Sequence, residues 1–217
     1  MPWYFTFLII IACFLFVIAL YAFLTRKYKS PYTFQIIFGK KGVGKSCTMQ
    51  KDLIKHHKRG WHCFADSNTD LPFVKKIDAR LIYTYNFPEK SFITIDEINL
   101  LWDNRDFKSF PKPVQEFFRQ QRKFKCKIIA YSQTFDCDKK LRDLADRLAI
   151  QRKVMRIFSF RRYYVKQPVV ISAENTREQA KIADDYIPVP LIFGGIGFTF
   201  LPKYVRYYDT NEIKVQT

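Results

Sequence analysis

The first 24 residues and the rest of the chain follow different hydrophobic patterns. Residues 3–24, WYFTFLIIIACFLFVIALYAFL, contain no charged side chain, and the run ends at TRKYKS with Arg26, Lys27 and Lys29. About 20 consecutive apolar residues is the length a helix needs to cross a hydrocarbon core. Trp3, Tyr4 and Tyr21 lie near its ends, where amphipathic rings favour the membrane interface, and the basic C-terminal flank predicts an outside N-terminus with the remainder in the cytoplasm. A cleaved signal would need charges before the apolar run and a small-residue site after it, and neither is seen. The expected organisation is an anchor over residues 1–30 and one cytoplasmic domain over 31–217.

Beyond the anchor, short apolar runs alternate with amphipathic stretches. TFQIIF (33–38), WHCFAD (61–66), LIYTY (81–85), SFITID (91–96) and KIIAYSQ (127–133) read as strands. Helices are expected from about Lys45 to His57, within PKPVQEFFRQQRKF with Pro near its start, and over CDKKLRDLADRLA. RIFSFRRYYV and VVIS read as a later pair of strands, and the Pro- and Gly-rich IPVPLIFGGIGFTFLP (187–202) as a buried or partner-facing loop, or a membrane contact. Strand–helix alternation implies an α/β fold with a mostly parallel sheet covered by helices on both faces.

Composition changes this picture in two ways. Lys and Arg number 37 against 20 acids, a formal charge of +17, which favours anionic partners such as nucleic acid or an anionic lipid surface. The five cysteines, at 13, 47, 63, 126 and 137, form no CxxC pair, which argues against a disulfide framework or zinc site and for reduced thiols. His56, His57 and His62 have no nucleophile or acid at catalytic spacing and read as surface residues.

The chemistry sits first in Gly39-Lys40-Lys41-Gly42-Val43-Gly44-Lys45-Ser46, which fits GxxxxGK[ST] in full between a predicted strand and a predicted helix. Glycines allow successive N–H groups to turn toward one phosphate, and the following helix adds its positive end. The run Gly39 to Cys47 is therefore the expected nucleotide-binding segment of a P-loop NTPase, with Lys45 reaching the β- and γ-phosphates of ATP and Ser46 binding Mg²⁺. Asp96, at the end of SFITID, is the expected second Mg²⁺ contact; Glu97 either polarises the attacking water or, with Asp96, caps the next helix. Gln133 is expected to sense the γ-phosphate or to begin a turn. Arg119 and Arg122, at the end of the preceding helix, are either solvated charges or, in an oligomer, arginine fingers for a neighbouring subunit; Arg142 and Arg147 are weaker candidates.

Taken in order, GKKGVGKS, FITIDEINLLW, FFRQQRKFKCKIIAYSQTFDCDKKLRDLADR and KYVRYYDTNE resemble the zonular-occludens-toxin-like (Zot) family of filamentous-phage (inovirus) assembly ATPases. The matching positions are Asp96-Glu97, Arg122, Gln133, Arg142 and Tyr208-Asp209-Thr210. The resemblance implies a ring-forming ATPase of the host membrane, with phage coat or assembly proteins as partners, that extrudes a virion with its single-stranded DNA or a packaging complex. Well-known members place the membrane helix after the ATPase domain, whereas here it comes first. Three further readings stay open: a conjugation-type membrane DNA pump, a partitioning-type switch in which Lys40 is a second signature lysine, and a scaffold with a degenerate site.

Overall fold

The computed structural model describes residues 3–28, 30–102, 111–135, 137–171 and 181–207. Helix α1, Trp3–Leu24, is apolar throughout and buries none of its side chains in the rest of the chain; it is long and apolar enough to cross a membrane. A 3₁₀ turn over Thr25–Tyr28 follows.

The remaining elements build a nine-stranded mixed sheet in the order β3-β2-β4-β5-β1-β6-β7-β8, with β9 also on β7. In chain order these strands are β1 (Phe34–Phe38), β2 (His62–Ala65), β3 (Val74–Lys76), β4 (Ser91–Ile95), β5 (Cys126–Ser132), β6 (Arg147–Val154), β7 (Phe158–Ile171), β8 (Lys181–Pro188) and β9 (Ile196–Phe200). Strands β3 to β6 along that order pair in parallel. β6, β8 and β9 all run antiparallel to β7, with β8 and β9 end to end along one edge of it. This is the P-loop NTPase fold, a mostly parallel sheet flanked by helices.

Burial on both faces explains why β1, β4 and β5 read as continuous apolar runs rather than alternating ones. On one face Phe34, Ile36, Phe38, Ile93, Ile95 and Ile128 pack with Val114, Phe117 and Phe118 of helix α4 (Lys112–Gln120). On the other, Ile37, Phe92, Ile129 and Tyr131 pack with Met49 and Leu53 of helix α2 (Lys45–His57). Helix α3 (Ile98–Leu101), α5 (Lys139–Leu144) and α6 (Pro202–Val205) are short.

Five expectations are corrected. RIFSFRRYYV and VVIS are not a pair of strands: residues 158–165 and 169–171 both belong to the single strand β7, Phe158–Ile171. LIYTY is not a strand: Asp78 caps a 3₁₀ segment over Ala79–Thr84 by accepting from Arg80 N, and Ala79 and Ile82, three apart, both turn inward. The helix expected over 137–149 stops at Leu144, because Arg147–Val154 pairs with both β1 and β7. Within 187–202, residues 196–200 form β9, whose ladder to Phe158–Arg162 overrides the Gly-rich composition. His56 is buried rather than superficial: it stacks on Phe92 at 3.8 Å and its Nδ1 lies 2.7 Å from the Asp52 carbonyl. Among the described residues all five cysteines are free thiols.

Candidate active site

The phosphate loop leaves the C-terminal end of β1 and enters α2. Gly42 and Gly44 take positive φ of 78° and 87°, backbone that side-chain-bearing residues resist. A Cβ at Gly44 would also sit 2.4 Å from Leu201 Cδ2. Gly39 N–H donates to the Ser132 carbonyl at 3.0 Å, which ties the loop to the end of the neighbouring β5. Lys45 Nζ donates to the Gly39 carbonyl at 2.7 Å and lies 3.4 Å from that of Lys40. Burial lowers the Lys45 ammonium from its usual range, while the charges of Asp96 and Glu97 act in the opposite direction.

The acids lie where β4 ends, with β5 between them and the loop. Asp96 N–H donates to Asp66 Oδ1 at 2.8 Å. Glu97 adopts left-handed backbone (φ 52°), uncommon for a residue with a side chain, and its carboxylate accepts a hydrogen bond from the Gln133 amide. Gln133 thus stands at the end of the strand between loop and acids, where a group that contacts both would have to be. Ser132, one residue earlier, has its hydroxyl on the Thr134 carbonyl and Asn99 Oδ1 instead.

These groups open into one cavity of about 800 Å³, within the range of small-molecule sites. Lys41, Gly42, Gly44, Lys45, Ser46, Cys47, Asp96, Glu97 and Gln133 all line it. Gly39, Lys40 and Val43 do not: Gly39 and Val43 form the back of the loop, with Val43 Cγ2 against Gly39, and Lys40 is exposed. Burial pushes the Cys47 thiol up, with its own backbone and the charge of Lys153 opposing.

Arg119 and Arg122 are at the other end of the sheet. Arg122 pairs with Asp146, whose carboxylate accepts from Phe34 N at the first residue of β1, and Arg119 pairs with Glu116 on α4. Neither lines the cavity of its own chain, nor do Arg142 and Arg147. Tyr208-Asp209-Thr210 lie outside the described residues.

The sequence reading missed a second set of lining residues, a wall that meets the loop at Gly44 through Leu201. Lys153 lies in the exposed last stretch of β6, Arg156 and Ile157 in the β6–β7 turn, and Leu201, Pro202 and Val205 in the segment after β9. This wall is fastened to the loop helix from within. Gln151 Nε2 lies 3.0 Å from Thr48 Oγ1 and 2.6 Å from Ser159 Oγ. Arg161 of β7 grips Asp52 of α2 in a buried two-pronged ion pair, 2.7 and 3.3 Å, with Tyr131 Oη 3.4 Å from the same carboxylate. Burial works to raise the Asp52 carboxyl, but the Arg161 charge and hydrogen bond outweigh it and hold the group below the usual range. Lys51 donates to the Phe198 carbonyl of β9.

No protein-family model matches this chain, and no curated protein does. Among solved structures, the N-terminal domain of zonular occludens toxin from Neisseria meningitidis superposes with a TM-score of 0.53 at 15% identity, over 82% of this chain and 99% of that one. The genome-packaging NTPase B204 of Sulfolobus turreted icosahedral virus 2, in complex with ATP-gammaS, reaches 0.47 at 12% identity over 58% of this chain and 77% of its own. The flagellar accessory protein FlaH of Methanocaldococcus jannaschii reaches 0.48 at 15%, over 70% and 89%. The fold of this chain is that of the zonular occludens toxin N-terminal domain.

Proposed function

We propose that this protein is a membrane-anchored, Mg²⁺-dependent ATP hydrolase that drives assembly and extrusion of a filamentous phage virion through the host's cytoplasmic membrane. It acts as a homo-oligomeric ring, with its N-terminus outside and residues 31–217 in the cytoplasm. The observation that carries the hydrolase reading is the placement of Glu97, hydrogen-bonded to Gln133, in one cavity with Lys45 and Ser46. The apolar α1 beside a fold shared with the zonular occludens toxin domain supports the membrane and phage parts.

In this reading the N–H groups of the Gly42–Cys47 segment and the start of α2 receive the phosphates. Lys45 exchanges the Gly39 carbonyl for phosphate oxygens and offsets their charge. The Glu97 carboxylate accepts a proton from water as its oxygen attacks the γ-phosphorus, and the bond to the ADP oxygen breaks. Gln133 holds Glu97 and the water in line. Ser46 and Asp96 fit Mg²⁺: both line the same cavity, and Mg²⁺ takes one or two protein oxygens besides water and phosphate. Bound there, it would neutralise charge developing between the β- and γ-phosphates. Arg119 or Arg122 serves the nucleotide of a neighbouring subunit.

The excess of 17 positive charges favours a second reading, a membrane DNA pump. The full chain in lipid vesicles separates the two by its ATP hydrolysis rate alone, with single-stranded DNA, and with a single-helix coat protein from the same genome. Stimulation by coat protein without DNA supports virion extrusion. Stimulation by DNA alone replaces it with the pump.

A further inference from the structure

The cavity is lined by two chemically distinct sets of residues. The phosphate loop, Asp96, Glu97 and Gln133 are polar, while Ile157, Leu201, Pro202 and Val205 are apolar. The apolar set is a built wall. Leu201 N–H donates to the Ile157 carbonyl at 2.9 Å, which joins the β6–β7 turn to the segment after β9. Val205 N–H donates to the Leu201 carbonyl at 3.2 Å, so α6 is anchored on the same residue. Leu201 is itself buried against Gly44, so this wall meets the phosphate loop directly at the start of α2. Ile157 and Val205 remain exposed although their neighbours are fixed. Lys153 and Arg156 line the same cavity.

We propose that Ile157, Leu201, Pro202 and Val205 form the nucleobase subsite, gripping the base by apolar contact with little discrimination between bases. The inference rests on the nucleotide reading above and adds to it the position and selectivity of the base. A polyanion bound at the loop has its charged end fixed by Lys45 and the α2 N-terminus. A base attached to it is flat and apolar on both faces, and the wall beside Gly44 is the apolar surface of this cavity. Selective recognition of one base requires hydrogen-bonding groups left unpaired by the wrong one. Among the described lining residues other than the loop, the acids and Gln133, every side chain is apolar apart from the cations Lys153 and Arg156. With those two cations taken up by the phosphates, no described lining side chain is left to read a base edge, and ATP and GTP bind with affinities within about tenfold of each other.

The test uses the full-length chain in detergent micelles, with equilibrium binding of Mg-ATP, Mg-GTP and inorganic tripolyphosphate, which has no base. Replacing Ile157→Ser and Val205→Ser together is expected to weaken ATP and GTP by at least about tenfold, the scale of two partly buried aliphatic contacts. Tripolyphosphate affinity should stay as it was, and Leu191→Ser, an exposed apolar change away from the cavity, should move none of the three. Unchanged ATP affinity in the double variant overturns the subsite, as does equal weakening of ATP and tripolyphosphate. A hundredfold preference of the wild type for ATP over GTP overturns the lack of selectivity. Failure of the nucleotide reading looks different: the wild type would bind neither ATP nor tripolyphosphate, and Lys45→Ala would change nothing.

Discussion

Strands β2, β4, β5 and β1 run parallel and are buried on both faces, whereas β7 and β9 run antiparallel and turn Phe198 and Phe200 toward solvent. Each half supplies one side of the same cavity. The parallel half contributes the loop, the acids and Gln133, all at strand ends, where a switch from strand to loop leaves backbone N–H groups and short polar side chains free for chemistry. The antiparallel half contributes two cations and an apolar wall, carried on the end of β6, on the turn after it and on the chain after β9. The halves are joined through α2, which is packed on β1, β4 and β5 but held to β7 and β9 by Asp52–Arg161 and Lys51. A load on the antiparallel strands would thus be transmitted to the helix that begins at the phosphate loop.

The comparison breaks most completely at its polar side. Lys45→Ala removes the buried cation of the loop, and ATP hydrolysis should fall at least about a hundredfold, the scale of a lost buried electrostatic donor at developing charge. A phosphate-release assay checks it. The next largest effect is on the joint between halves. Arg161→Met leaves Asp52 buried without its counter-charge and should cost about 3–5 kcal/mol of stability in urea unfolding. Asp52→Leu with Arg161→Met should recover most of that, since a packed apolar pair removes the uncompensated charge.

A pH titration sharpens the same joint. Burial, reinforced by the Lys127 charge, pulls the His56 imidazole down to about 4 from about 6.5, against the pull of the Asp52 carbonyl and carboxylate. Unfolded chains then bind a proton that folded ones refuse, so stability is full above about 6.5 and falls as pH drops toward 4. The loss is on the order of 3 kcal/mol at one pKa unit per 1.36 kcal/mol. His56→Phe, which keeps the stack on Phe92, should flatten the urea midpoint across that window. Asp52 titrates below it and leaves the window to His56. The smallest effect belongs to the antiparallel wall: Arg156→Ala should lower kcat/KM for ATP by about 10–100-fold, the scale of one lost charged hydrogen bond, while leaving the unfolding midpoint in place.

The two halves were not equally legible. The loop and Asp96-Glu97 stand out because the backbone geometry around a phosphate demands glycine at set positions, and because two adjacent acids ending an apolar strand have little structural use. Gln133 stood out as the polar residue ending the apolar run KIIAYSQ and as a position shared with the Zot-like pattern. Lys153 and Arg156 could not be singled out in a chain with 37 Lys and Arg, since nothing local distinguishes a cation aimed into a cavity from a solvated one. Leu201, Pro202 and Val205 were hidden because β9 is defined by its partner β7, not by its own period. The same competition misplaced Arg147–Val154: Leu141, Leu144 and Leu148 fit a helical spacing, yet pairing with β1 and β7 decides the strand. Arg119 and Arg122 show the opposite limit: the sequence offers them as solvated charges or as arginine fingers for a neighbouring subunit, and the return of the chain to the start of β5 carries them to the end of the sheet away from the phosphate loop.

The central claim is that Glu97, held by Gln133 across from the phosphate loop, makes this a hydrolysing site rather than a binding one. The direct measurement is Mg-ATP turnover by the full chain, beside ATP binding, for wild type and Glu97→Gln. The account predicts that the variant binds ATP as the wild type does while its turnover falls by about 10²–10⁴-fold, the range for a lost general base. Equal turnover in the two proteins, or a wild type that binds Mg-ATP and does not hydrolyse it alone or with its partners, would contradict it.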